Sequence, residues 1–133
     1  MFDKVFQYNF PTTIRFGAGA VKELPEYLQK NNLKSPLIVT DPVVSSLDFF
    51  KKIVTDIKQK NMAVCVFADI HKNPVKSDVY KGADAYDQSK SDCIIGIGGG
   101  AAIDVARAIA LRINHREDLF VYDDLIGGDV YVT

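Results

Sequence analysis

The residues with the most chemical content form one short run, Gly96-Ile-Gly98-Gly99-Gly100-Ala101-Ala102-Ile103-Asp104. It follows an apolar, strand-like stretch and opens a helix-like one. At such a junction free backbone N–H groups and the positive end of the helix point outward together, and glycines let an anionic group approach the chain. A phosphate is the natural occupant. The plainer alternative is a tight strand-to-helix turn that uses glycine only for its backbone freedom. Three successive glycines exceed what that turn requires. A Walker A loop is excluded, because no Lys-Ser or Lys-Thr pair follows the glycines.

Besides the glycines, four residues could take part, two of them within the same run. Asp41, followed by Pro42, has the arrangement of a helix cap with proline in the first turn. Its carboxylate could equally accept hydrogen bonds from a ribose diol and repel a 2′-phosphate, and the two roles are compatible. Asn73, followed by Pro74, reads either as a turn before a helix or as a polar wall of the same cleft. Asp104 lies one turn into an apolar helix, where a charge needs a partner or water; Arg107 is in reach, and the ligand cleft is the other option. Ala101 offers only its backbone. His71 and His115 stand apart from other metal-ligating side chains and read as surface histidines.

Gly96, Gly98 and Ala101 also spell G-x-G-x-x-A, but this is not a Rossmann fingerprint. That motif belongs after the first strand, with an acidic residue ending the next strand about 20 residues later. Here the glycines follow the last strong strand, and the acidic strand end, Asp41, lies far upstream.

The elements that must hold these residues can be read from periodicity. Apolar runs at Thr12–Phe16, Leu37–Thr40, Ala63–Phe67 and Cys93–Ile97 end in turn residues. Continuous apolar runs of this kind fit strands of a parallel sheet buried on both faces. Helical patterns alternate with them. Val43, Leu47, Phe50, Val54 and Ile57 predict one helix of about four to five turns. Val79, Ala83 and Tyr86 predict another within Lys76–Lys90. Ala101–Ile113 is apolar almost all round, which predicts the most buried helix. The segment Val21–Lys30 contains Pro25, so its helix should start or kink near Leu24. The expected fold is α/β, a Rossmann-like parallel sheet flanked by helices, with an N-terminal strand or hairpin.

Composition narrows the class. The chain has 133 residues, 47% apolar and 25% charged, with a net charge of −1. One domain with a sizeable core is expected, with no basic face for nucleic acid. No apolar run is long enough for a bilayer, and the first residues lack the pattern of a secretory signal. Cys65 and Cys93, each inside a strand-like run, predict buried, reduced thiols and a cytoplasmic protein.

The ordered set Phe16-Gly-Ala-Gly-Ala-Val-Lys-Glu-Leu24, Leu37-Ile-Val-Thr-Asp-Pro42, Asn73-Pro74 and Ile95-Gly-Ile-Gly-Gly-Gly-Ala-Ala-Ile-Asp-Val-Ala-Arg-Ala-Ile-Ala110 resembles the N-terminal domain of the iron-containing (group III) alcohol dehydrogenases. The last segment matches that family's GGGSxxD-type signature. The resemblance implies a dehydroquinate synthase-like fold, with residues 1–133 as a single NAD(P)-binding α/β domain. It implies an enzyme interconverting alcohols with aldehydes or ketones, using NAD in preference to NADP. Gly98, Gly99 and Gly100 would cradle the pyrophosphate, Asp41 would hold the adenosine ribose, Asn73 would border the cleft, and Asp104 would lie towards the nicotinamide. A dimer would form through Thr12–Phe16 and Val5–Phe10.

Two departures accompany the match. Ala101 replaces the usual serine. The threonine-rich TTxGTGSE-type segment and the metal-binding helical domain of the family have no counterpart in these 133 residues. Iron or another divalent metal is therefore expected only in the full-length family, and the chain alone is expected to be inactive. A non-catalytic nucleotide-binding or oligomerisation module from a truncated gene, or a glycerol dehydrogenase-like relative, stand as alternatives.

Overall fold

The computed structural model describes residues 19–115. The anticipated strand Thr12–Phe16, the segment Val5–Phe10 and the tail Leu119–Thr133 lie outside them.

A 3-10 turn, Ala20–Glu23, runs into helix α1, Leu24–Lys30. The change falls at Leu24 because Pro25 lacks an N–H and is tolerated only in a first helical turn. Strand β1 (Pro36–Val39) follows, then α2 (Pro42–Ser45) and α3 (Asp48–Lys58). Strand β2 (Cys65–Phe67), helix α4 (Lys76–Gln88), strand β3 (Cys93–Gly96) and helix α5 (Gly100–His115) complete the described elements.

The three strands form one parallel sheet in the order β2-β1-β3, with Val39 level with both Phe67 and Gly96. Side chains of β1 alternate between its faces. Leu37 and Val39 pack with Val79, Ala83, Val105 and Ile109 of α4 and α5. Ile38 packs with Leu28, Phe50, Ile53 and Ile57 of α1 and α3. The result is the expected α/β sheet, covered on both sides.

Three expectations need correction. The helix predicted across Val43–Ile57 is two helices, broken at Ser46 and Leu47. Ser45 and Ser46 turn their hydroxyls onto the carbonyls of Pro42 and Val43, at 3.0 and 2.7 Å. Leu47 is extended, with ψ of 148°. Serine competing for nearby backbone groups favours such a break. Val43 and Leu47 consequently leave the core, 70% and 42% exposed, and the buried stripe is Phe50, Ile53 and Ile57. Second, burial on both faces holds for β1, whereas Val66 of β2, on the edge of the described sheet, is 40% exposed. Third, both cysteines are free but only half-buried.

Asp92, just before β3, fixes the opposite end of the sheet. Its carboxylate accepts the N–H groups of Lys34 and Ser35 at 2.7 and 3.0 Å. Partial burial raises its pKa, but these bonds and one from Cys93 outweigh that and hold it below the ordinary value. Burial, together with the charge of Asp92 beside it, pushes the Cys93 thiol up to about 12.

Candidate functional site

Because the strands are parallel, the residue following each one emerges on the same edge of the sheet. Asp41 and Pro42 follow β1, the loop with Asn73 follows β2, and Gly98–Gly100 follows β3. Strands lie about 4.8 Å apart, so the carboxyl ends of β2 and β3 lie about 10 Å apart with that of β1 between them. The helices that follow the neighbouring strands β1 and β3 go to opposite faces: α3 packs against Ile38, and α5 against Val39. That divergence opens a crevice at the carboxyl ends of the two strands, the usual ligand position in open α/β sheets.

Asp41 forms one wall of this crevice. Its backbone is extended, and Oδ1 accepts the Val44 N–H at 2.8 Å, capping α2. The cap reading of the sequence is correct, and it engages only one oxygen. The other, Oδ2, stands 3.4 Å from the position that a Cβ on Gly98 would take.

Gly98 lies directly against Asp41. Its φ of +142° is one that side-chain-bearing residues rarely adopt, and a Cβ there would come within 3.1 Å of the Ala102 Cβ. Gly99 and Gly100 differ: a Cβ on either would meet nothing within 4 Å. Their missing side chains leave open space at the amino end of a 16-residue helix. Such an end presents unpaired N–H groups and a partial positive charge. These residues fit a phosphate-bearing cofactor. Gly96 serves packing, since a Cβ there would stand 3.0 Å from the Ala106 Cβ.

The remaining predicted residues are placed as follows. Ala101 is half-buried in the first turn of α5, and Asp104 is exposed one turn on. No ion pair joins Asp104 to Arg107, so water meets its charge. Asn73 is exposed in the loop between β2 and α4. His115 is the last residue of α5.

His71 is not solitary. Its side chain is 62% exposed, yet Nδ1 lies 2.7 Å from Oδ1 of the fully buried Asp78. Sequence reading missed Asp78 altogether. The available signal was an acidic residue at the third position of a helix, the place of the reciprocal partner in a capping box. It also missed Thr40, beside Asp41, which is fully buried; its hydroxyl has no hydrogen-bond partner among the described residues.

Among the described residues, no three His, Cys, Asp or Glu side chains converge on a metal-sized position, so those residues do not by themselves fit a metal. None of the described helices is long and apolar enough to cross a membrane.

Known proteins share this fold. The NAD-dependent methanol dehydrogenase of Bacillus methanolicus is 33% identical over 104 residues, 78% of this chain and 27% of that protein. A crystal structure of 1,3-propanediol oxidoreductase superposes with a TM-score of 0.81 at 26% identity, covering 90% of this chain and 31% of the other. Sulfoacetaldehyde reductase from Bifidobacterium kashiwanohense, solved in complex with NAD+, gives a TM-score of 0.77 at 25% identity, with the same coverage of 90% and 31%. The chain thus spans between 27% and 31% of the length of these relatives. The family profile described as iron-containing alcohol dehydrogenase matches residues 11–131. With the glycine turn, the capping aspartate and the sheet order all inside that match, the chain belongs to the iron-containing alcohol dehydrogenase family.

Proposed function

We propose that this chain forms the cofactor-binding wall of a metal-dependent alcohol dehydrogenase that uses NAD, and that residues 1–133 act as one NAD(P)-binding domain. The observation that carries the proposal is the pairing of Asp41 with Gly98 at the crevice, with open space over Gly99 and Gly100. In this reading Gly98, Gly99, Gly100 and the backbone of Ala101 hold the pyrophosphate. The spare oxygen of Asp41 accepts from the adenosine ribose and repels a 2′-phosphate, which favours NAD over NADP. Asn73 borders the cleft, and Asp104 lies towards the nicotinamide. The NAD+ complex of sulfoacetaldehyde reductase and the NAD-dependent methanol dehydrogenase support the choice of cofactor.

When bound, the nicotinamide supplies hydride transfer. The contribution of this chain is to bind and orient. A catalytic metal belongs to the whole enzymes of the family, since no three metal-ligating side chains converge among the described residues. Most of the relatives' length lies outside the matched segment, so the 133 residues alone are expected to bind NAD weakly and to give no turnover. A homodimer through Val5–Phe10 and Thr12–Phe16 is part of the same proposal, and light scattering tests it.

Calorimetric titration of the purified chain with NAD and NADP tests the assignment. Saturable NAD binding at about 0.1–1 mM, with NADP about tenfold weaker, is expected. Absence of saturable binding for both, or tighter binding of NADP, contradicts it.

A further inference from the structure

The loop between β2 and α4 carries Asn73 and has few fastenings. Residues His71 to Val75 are all exposed, and no hydrogen bond among the described residues involves Lys72 or Asn73. One buried side chain grips the loop from beneath. Asp78, in the first turn of α4, has no accessible surface. It accepts the His71 N–H at 3.2 Å and the Val75 N–H at 2.9 Å, and it meets His71 Nδ1 at 2.7 Å. An ionised carboxylate only accepts, so the proton of this last bond sits on Nδ1.

The placement of these bonds is informative. They attach two residues before Asn73 and two residues after it. Val75 occupies the N-cap position of α4 in an extended conformation and offers no side-chain oxygen. Helices usually begin with a residue that does. Asp78 takes over by reaching back to the Val75 N–H, and the same carboxylate extends to His71 across seven residues. Pro74 fixes its own φ and restricts the backbone of Asn73 before it. With both ends of this stretch held by one carboxylate, little freedom is left to Asn73.

We infer that Asp78 is a positioning residue for nucleotide binding: itself out of reach of any ligand, it sets where Asn73 stands at the rim of the crevice by clasping His71 and Val75. The inference rests on the proposed nucleotide site. It adds to that site a buried residue acting through another.

The test combines a double-mutant cycle with amide exchange. NAD affinity is measured by calorimetry on the 133-residue chain, on Asp78→Asn, on Asn73→Ala and on the double variant. Each single substitution is expected to weaken binding about tenfold, and the double variant no more than about tenfold. Amide exchange at His71 and Val75 is expected to quicken in Asp78→Asn while α5 keeps its protection. Losses that multiply to about a hundredfold in the double variant overturn the inference, because Asp78 then acts independently of Asn73. Unchanged exchange at His71 and Val75 overturns it whatever NAD does. A native chain that binds no NAD, yet shows the quickened exchange, overturns the nucleotide reading and the role of Asp78 within it. If Asp78→Asn does not fold, His71→Ala takes its place, since it removes one contact made by an exposed side chain. The same coupling to Asn73→Ala is then expected at about threefold, and its absence overturns the inference.

Discussion

The carboxylate of Asp41 stands directly against the backbone of Gly98 at the carboxyl ends of β1 and β3. Oδ1 of Asp41 accepts the Val44 N–H at 2.8 Å, and Oδ2 stands 3.4 Å from where a Cβ on Gly98 would lie. One side chain thus caps a helix and sets its second oxygen against the glycine turn, and its two jobs can be separated by mutation. Asp41→Ala is expected to cost about 1 kcal/mol in urea unfolding, while Asp41→Asn, a good cap, stays within a few tenths. Both are expected to lose most of the preference for NAD over NADP. Full retention of that preference in a folded Asp41→Asn would show that the carboxylate does not meet the ribose.

Acid should weaken the fold partly through Asp78. Burial raises its pKa, but hydrogen bonds from Val75 and His71, with the charge of His71, outweigh this and hold it below the ordinary value. The native carboxyl therefore binds its proton at lower pH than the unfolded one. Its contribution is fully present above the ordinary carboxylate range, near 4, and is lost as pH falls through the depressed native value. Urea midpoints measured between about pH 5 and 3 should decline, and more gently in Asp78→Asn. An identical acid slope in the two proteins contradicts this.

The contact between α4 and α5 gives a prediction with an unusual sign. Replacing a mid-helix glycine by alanine ordinarily stabilises by about 1 kcal/mol. At Gly82 the added Cβ would run into the Ile109 side chain, 2.9 Å from Cγ1, and lie 3.2 Å from a ring carbon of Phe67. Gly82→Ala is expected to destabilise by about 1–3 kcal/mol. Adding Ile109→Val, which removes the most crowded methyl group, should recover part of the loss. Urea unfolding of the single and double variants decides it.

What the sequence revealed depended on the range of the interactions. The Asp41-Pro42 cap, the break at Leu24 before Pro25 and the glycine turn are set by neighbours along the chain, and all three were legible. The strands of the sheet were legible from their apolar runs, and their parallel order from alternation with helices. The division between α2 and α3 was missed because an apolar stripe runs through it, while the deciding interactions are two serine hydroxyls bonding locally. The clasp of Asp78 on His71 was missed because a buried carboxylate reaching back seven residues leaves no periodic trace. Periodicity also could not show that the spare oxygen of Asp41 meets Gly98, since 57 positions separate them in sequence and only the pairing of β1 with β3 unites them.

The most direct test of the nucleotide site is NAD calorimetry on Gly99→Val, paired with thermal unfolding of the same variant. A Cβ at Gly99 meets nothing within 4 Å, so the substitution fills the space assigned to phosphate without disturbing the core. The account predicts a Tm within about 3 °C of the native chain and NAD binding weakened more than about tenfold. Undiminished NAD binding by the folded variant would contradict it.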